Sequence, residues 1–230
     1  MFSFDANNTD RIRQQLKELY NEQWFINGKC IKFEECRGKK DPCNYWLLFD
    51  RTVRLGNKYS MAYDSQPLRI VIMGKETLGF KNDVVRPALC SDFPNGFNRH
   101  YAVTLDTLRK MLDANKYLLS NDDVLSMYAL SNLYSCAFCR YPGQTQGIPN
   151  TKLQRKNCVI LKQAELKILK PTVLLIQTDI ITANELYEDA ETINVSFPDG
   201  HGCVKHSKEN NCYIIESRHP SCHRHPWKET

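Results

Sequence analysis

The chain has 230 residues, of which 42% are hydrophobic, and a formal net charge of +5. This length and composition suit one domain with a substantial core, so we expect residues 1–230 to form a single domain. No run of about 18 apolar residues occurs, which excludes a transmembrane helix. Because the first residues are polar and resemble no signal peptide, we expect a cytoplasmic protein. The mild positive charge permits nucleic-acid binding without requiring it.

The N-terminal part of the chain is predicted to begin with an amphipathic helix followed by an irregular region. We expect the helix to start with Thr9 or Asp10 as N-cap, because the apolar residues that follow share one face. These apolar residues are Ile12, Leu16, Leu19 and Tyr20. Region 30–63 contains several cysteines and lacks a regular apolar pattern, so we predict a long loop region that another interaction must hold in place.

The rest of the chain alternates short apolar runs, typical of buried strands, with amphipathic segments, typical of helices. The predicted strands are 69–74, 128–134, 172–177 and 212–216. The predicted helices are one with Thr104 as N-cap, one with Asp122 or Asp123 as N-cap, and segments 150–169 and 183–190. This alternation predicts the α/β class, with a central four-stranded parallel sheet flanked by helices on both faces.

Polar side chains follow three of the predicted strands at their carboxyl ends. Glu76 lies in the sequence Gly-Lys-Glu-Thr-Leu-Gly after the first strand, and Asn132 lies near the end of the second. His219 lies in Arg-His-Pro-Ser after the fourth strand. Because ligands bind at the carboxyl ends of parallel strands, we expect a carboxylate, an amide and an imidazole to converge there.

This ordered set of motifs resembles the uracil-DNA glycosylase superfamily. That family has a Gly-x-acid motif after its first strand, an Asn at the end of its middle strand, and a final His-Pro-Ser. The stretch 132–149, followed by Cys158 and by Lys-Pro at 170–171, is most similar to the iron–sulphur branch. The sequence departs from the family pattern at Thr77, where a Pro is usual, and at Gln177, where the Gly that often follows this strand is absent.

The resemblance implies a DNA glycosylase, which flips a pyrimidine out of double-stranded DNA and hydrolyses its N-glycosidic bond to leave an abasic site. Glu76 matches the acid that stabilises the sugar cation and orients water. His219 matches the donor that stabilises the departing base anion. Asn132 would read the edge of the base, because an amide both donates and accepts hydrogen bonds.

The resemblance also bears on the substrate and on the DNA contacts. Uracil-specific relatives have an aromatic residue that blocks a C5 methyl group where this chain has Leu78. Leu78 therefore predicts a pocket for a bulky C5-modified cytosine, such as a hypermodified phage base, and a defence role; the alternative is uracil excision in repair. One of three aromatic residues is expected to stack on the base: Phe80, Phe93 or Phe97. The expected DNA contacts are Arg140, Ser221 and Arg224.

The chain has ten cysteines, and disulfides are not expected in a reducing compartment. The resemblance implies that four of them hold a [4Fe–4S] cluster: Cys36, Cys43, Cys139 (or Cys136) and Cys158. The same thiols could bind zinc, or they could be buried thiols without a cofactor. A second possible zinc site combines His219 with three neighbours in sequence: Cys222, His223 and His225.

Two other classes of function remain open on the sequence alone. One is a catalytically silent relative that binds nucleic acid or a modified base, since the motif around Glu76 is incomplete. The other is an unrelated cluster or zinc protein built on a parallel sheet. For the glycosylase and for the catalytically silent relative, the expected partner is DNA. We also expect a monomer that does not associate with membranes.

Overall fold

The computed structural model of the protein describes residues 1–26, 29–37, 46–49, 53–74, 99–134, 136–139, 152–178, 181–193 and 202–217. The helices are α1 (Ala6–Glu18), α2 (Phe33–Arg37), α3 (Arg99–Met111), α4 (Asn121–Ser126), α5 (Lys152–Leu169) and α6 (Ala183–Leu186). A π-helical turn, Leu19–Trp24, continues α1. No helix in these ranges is both long enough and apolar enough to cross a membrane.

Strands from the first part of the chain are β1 (Phe2–Phe4), β2 (Phe25–Ile26), β3 (Lys29–Cys30), β4 (Trp46–Phe49), β5 (Arg54–Leu55), β6 (Met61–Tyr63), β7 (Gln66–Leu68) and β8 (Ile70–Gly74). Strands from the remainder are β9 (Tyr128–Asn132), β10 (Cys136–Cys139), β11 (Val173–Gln177), β12 (Ala190–Ile193), β13 (Gly202–Ser207) and β14 (Cys212–Ser217).

A seven-stranded mixed sheet with the order β12-β13-β14-β11-β8-β9-β5 forms the centre of the fold. Its middle strands β14, β11, β8 and β9 pair in parallel, and antiparallel strands extend both edges. The prediction of an α/β fold is confirmed, but a sheet of only four parallel strands is not. The added strands are short or half-exposed, and they pair through backbone hydrogen bonds that leave little apolar pattern in the sequence.

The parallel strands β8, β9 and β11 are almost entirely buried on both faces, which explains their continuous apolar runs, whereas β14 is partly exposed at Tyr213. Val71 and Met73 belong to a core that includes side chains of α1 and α5. Ile70 and Ile72 belong to a second core with side chains of α3 and α4. Because successive residues of a strand point to opposite faces, helices cover both faces of this sheet.

Several predicted helix ends differ from the structure because side chains distant in sequence compete for them. The N-cap of α1 is Asp5, whose side chain accepts a hydrogen bond from the Asn8 N–H at 2.9 Å. Thr9 is instead buried within α1, where its hydroxyl accepts a hydrogen bond from the Ser60 N–H at 3.1 Å. Thr104 lies inside α3.

The end of the last predicted helix and the cap of α4 also differ from the sequence-based expectation. Ser120 caps α4 through a reciprocal pair of hydrogen bonds with Asp123, so neither Asp122 nor Asp123 is the cap itself. The helix predicted for 183–190 ends at Leu186, and strand β12 begins at Ala190. Helix boundaries are the least certain part of any pattern-based prediction, because caps depend on the conformation of the preceding residue.

The described parts of region 30–63 are held to the rest of the domain by backbone contacts. Strand β5 pairs with β9, and β6 pairs with β1. The Gly56 N–H donates to the Tyr128 carbonyl at 3.0 Å. A Cβ atom at Gly56 would lie 2.2 Å from the carbonyl oxygen of Ser126, so this close approach requires glycine.

A buried ion pair joins α5 to the sheet. Lys162 Nζ donates to Glu165 Oε1 at 2.8 Å, and their side chains are only 3% and 1% exposed. The Glu165 carboxylate also accepts from the Tyr20 hydroxyl at 3.0 Å and from Ser131 Oγ at 2.8 Å. The Tyr20 hydroxyl in turn accepts from the Val53 N–H at 3.0 Å. One carboxylate therefore connects α5, β9 and the π-helical turn, and through Tyr20 it reaches the segment before β5.

Replacing Glu165 with Gln should lower the free energy of unfolding by about 3–5 kcal/mol, because it leaves the Lys162 ammonium buried without a counter-charge. Urea denaturation would measure the loss. Glu191→Gln is the matched control, since its partner Lys208 and Glu191 itself are both exposed, and it should cost no more than about 1 kcal/mol. Equal losses in the two variants would contradict the proposed importance of the buried pair.

The Asp123 carboxylate makes the stability of α4 dependent on pH. It accepts hydrogen bonds from Lys58 Nζ at 2.6 Å and from the Ser120 hydroxyl at 2.7 Å. These hydrogen bonds lower the pKa of Asp123 to about 2. Because this pKa lies below the unfolded value of about 3.9, the stabilisation is fully present above that value and is lost as the pH falls through about 2.

Asp123→Asn should therefore lower the unfolding temperature at neutral pH, with the difference from wild type narrowing as the pH falls from about 4 to about 2. Thermal unfolding over a pH series measures it. Asp122→Asn, in the same helical turn, is the control. A difference that stays constant across the series would rule out titration of Asp123 as the cause.

Candidate active site at the carboxyl edge of the sheet

The four parallel strands end side by side. Gly74 pairs with Asn132, and Gln177 pairs with Ser217. The pairing of β11 with β8 continues to within one residue of these ends, which brings Gln177 next to Gly74. The strand ends therefore form a row in the order Asn132, Gly74, Gln177, Ser217, at the edge where parallel sheets bind ligands.

Two amide side chains share one face of this row. Leu130 and Leu175, two positions before Asn132 and Gln177, belong to the core beneath α3 and α4, so both amides lie on that face. Gly74 lies between them and has no side chain. No third side chain from the sheet therefore separates the two amides.

The backbone of Asn132 is anchored, whereas its side chain is available. The Leu133 N–H donates to the Gly74 carbonyl at 2.8 Å, and Ser131 is hydrogen-bonded to Glu165 on the opposite face. The side chain of Asn132 is half-buried, and no hydrogen bond joins its amide to another residue in the described ranges. Such an amide can offer both a donor and an acceptor to a ligand.

Gln177 is a polar residue of this edge that the sequence analysis did not assign to the site. Its side chain is buried, and the Thr104 hydroxyl of α3 donates to Gln177 Oε1 at 3.3 Å. The available signal in the sequence was its position as the polar last residue of an apolar strand. Its contact with Thr104 could not be foreseen, because Thr104 was predicted as a helix cap.

A second polar cluster anchors the end of β14 on the other face. Glu216 Oε1 accepts from Lys205 Nζ at 3.2 Å and from the Ala183 N–H, while Oε2 accepts from Cys203 Sγ at 2.8 Å. Burial alone would raise the pKa of Glu216, but these hydrogen bonds outweigh it and lower the pKa. Burial and the Glu216 carboxylate raise the pKa of Cys203 to about 11, so Cys203 is a neutral thiol donor.

The predicted catalytic residues Glu76 and His219 lie outside the described residues. So do the other residues predicted to contact the base or DNA: Leu78, Phe80, Phe93, Phe97, Arg140, Ser221 and Arg224. The structure does describe the points from which two of these segments start. Gly74 is two residues before Glu76, and Ser217 is two residues before His219.

Two of the predicted cluster ligands have described side chains. Cys36 on α2 and Cys158 on α5 are both buried. Cys36 Sγ accepts a hydrogen bond from Nδ2 of Asn157, the neighbour of Cys158, at 3.3 Å. Burial raises the pKa of Cys36, and the nearby Cys30 raises it further.

The remaining predicted ligands are known only in part. Strand β10 pairs with β4 so that Cys139 is opposite Trp46 and Cys136 is opposite Phe49. The structure does not describe the side chains of Cys136 and Cys139. Four other predicted ligands lie outside the described residues: Cys43, Cys222, His223 and His225. Within the described residues, no three His, Cys, Asp or Glu side chains are grouped so that they could hold a metal ion.

No protein-family model matches the chain, and no curated protein matches it significantly in sequence. The chemistry of the residues at the carboxyl edge is therefore the basis for assigning a function.

Proposed function

We propose that the chain is a DNA glycosylase that extrudes a pyrimidine nucleotide from double-stranded DNA and hydrolyses its N-glycosidic bond, leaving an abasic site. The observation that carries the proposal is the half-buried amide of Asn132, which has no partner among the described residues and lies beside Gly74 at the carboxyl edge. The proposed architecture is a uracil-DNA glycosylase-like sandwich, in which the four parallel strands carry the site and the antiparallel strands are additions.

The strand order supports convergence of the predicted catalytic groups. One strand, β11, separates β8 from β14, so their ends are about 10 Å apart at a spacing of about 4.8 Å per strand. The segments that carry Glu76 and His219 follow these two strand ends in the sequence, so the two side chains can approach one nucleoside from different sides. In this proposal Glu76 stabilises the sugar cation and orients the attacking water, and His219 donates a hydrogen bond to the departing base.

The proposed substrate is a C5-modified cytosine, because Leu78 replaces an aromatic residue that would close the pocket near C5. Extruding a base costs a few kcal/mol, which stacking must offset. Phe93 is the proposed stacking residue. Arg140, Ser221 and Arg224 are the proposed DNA contacts, which supply the phosphate interactions that position the duplex.

The proposed cofactor is a [4Fe–4S] cluster held by Cys36, Cys43, Cys139 and Cys158. The thiol groups suit iron–sulphur ligation, and the contact of Cys36 with the residue next to Cys158 supports a shared site. The register of β10 and β4 favours Cys139 over Cys136, since Cys139 is opposite Trp46, three residues from Cys43. When bound, the cluster would cross-link region 30–63 to α5. Zinc could use the same thiolates.

Wild-type protein should release free base from at least one duplex in a panel containing uracil, 5-hydroxymethylcytosine or its glucosylated form, with abasic sites detected by alkaline strand cleavage. Glu76→Gln and His219→Ala should each lower the rate by about 10²–10³. Glu191→Gln, on the distant edge strand β12, should leave the rate unchanged.

The pattern of released bases decides between the alternatives. Release of uracil with modified cytosines untouched would favour repair over defence. Binding of the duplexes without release of any base would reject the glycosylase and favour a catalytically silent relative.

Protein purified without oxygen should be brown and contain about four iron atoms per chain. Cys158→Ser should lose the iron and the visible absorption. Cys203→Ser is the matched control, because Ser can keep the hydrogen bond that Cys203 donates to Glu216. Stoichiometric zinc in place of iron would support the zinc alternative, and a folded chain with neither metal would reject both.

A further inference from the structure

We propose that Gln177 is a second base-reading residue, which acts with Asn132 on either side of Gly74 and recognises a carbonyl oxygen of the excised pyrimidine. This inference rests on the proposed glycosylase function and specifies how its site would select a base.

The row of strand ends supplies the geometry. Asn132 ends β9 and Gln177 ends β11, and these two strands flank β8. Both residues lie on the same face of the sheet, with Gly74 between them. Two strand spacings of about 4.8 Å separate their Cα atoms. One planar heteroaromatic ring with hydrogen bonds of about 2.9 Å at its edges fits a span of this size. Any side chain at Gly74 would project from the floor of that span.

Thr104 determines which part of Gln177 faces a ligand. The Thr104 hydroxyl donates to Gln177 Oε1 at 3.3 Å, and the two residues are only 2% and 3% exposed. Because a glutamine amide has one accepting oxygen and one donating NH₂ group, the Nε2 group remains for the ligand. Gln177 therefore presents a donor, which complements a carbonyl oxygen and not an exocyclic amino group.

Asn132 differs from Gln177 in this respect. Its amide has no hydrogen-bond partner within the described residues, so either its oxygen or its NH₂ group can face the base. The two residues would therefore have separate roles. Gln177 recognises a carbonyl that every pyrimidine base carries, whereas Asn132 adapts to the edge that distinguishes uracil from cytosine.

A cycle that combines a protein substitution with a substrate-atom substitution tests the assignment. The substrates are duplexes with the base that wild type releases and with its 2-thio derivative. Sulphur accepts hydrogen bonds poorly, so wild type should lose about 10-fold in kcat/KM on the thio substrate whose oxygen Gln177 reads. Gln177→Leu should lose a similar factor on the normal base and little more on the thio base.

Two further variants separate recognition from folding. Gln177→Glu keeps the shape but removes the Nε2 donor, and it should reproduce the loss of coupling. Thr104→Val should weaken the coupling by releasing Oε1, while Thr104→Ser, which keeps the hydroxyl, should restore it. Thermal unfolding of each variant confirms that comparisons are made on folded protein.

The outcomes distinguish this inference from the proposed function. Base release by wild type with equal losses on normal and thio substrates in Gln177→Leu and Gln177→Glu would show a merely structural role and overturn the inference alone. If wild type releases no base from any duplex, the proposed function fails and the assignment of Gln177 fails with it.

Discussion

The Glu165 carboxylate is the interaction on which the arrangement of the carboxyl edge depends. It is almost fully buried, and it binds Lys162 in its own helix together with Tyr20 and Ser131 from two other elements. A buried ion pair is rarely more stabilising than well-packed apolar side chains, because both charges lose their hydration. Its hydrogen bonds are directional, however, so α5, the π-helical turn and the end of β9 can pack in one register only.

Successive side chains of a strand lie on opposite faces of the sheet, so the residues that anchor the carboxyl edge and those proposed to bind the base lie on different faces. At the end of β9, Ser131 points to the α5 face and bonds Glu165, while Asn132 points to the α3 face. At the end of β14, Glu216 is tied to Lys205 and to the start of α6. The face that packs against α5 and α6 is thus densely hydrogen-bonded, and the face that packs against α3 carries the amides of Asn132 and Gln177. This division lets the edge be rigid and still leave polar groups for a ligand.

Backbone pairing and a buried hydroxyl group hold the described parts of region 30–63 in place. Its described parts are held by the pairing of β5 with β9 and by the close approach at Gly56. The Tyr59 hydroxyl adds a hydrogen bond to the Leu169 carbonyl at 3.1 Å, deep in the core, where burial raises the pKa of this tyrosine. In the proposed holoprotein, the cluster would add a covalent link between Cys36 and Cys158 to contacts that already exist.

Elements whose apolar residues follow a regular pattern could be predicted from the local sequence alone. The apolar runs of β8, β9 and β11 could be predicted because strands buried on both faces require continuous apolar residues. The half-exposed β14 also has a short apolar run, and α5 has apolar residues at helical spacing. The antiparallel strands β5, β12 and β13 could not be predicted, since backbone pairing places few demands on their side chains. The cap at Asp5 was missed because Thr9, the predicted cap, lies inside α1 and accepts a hydrogen bond from the distant Ser60 N–H.

Which polar residues contact each other depends on the tertiary fold. From the sequence, Lys162 and Glu165 resemble an ordinary exposed ion pair on a helix, whereas in the fold both are buried and Glu165 contacts Ser131. Likewise, the bond between Thr104 and Gln177 joins residues 73 positions apart. Local patterns record whether a side chain leaves water, since that depends on its own chemistry. The partner of a polar group depends on where the rest of the chain has folded, and no local pattern contains that information.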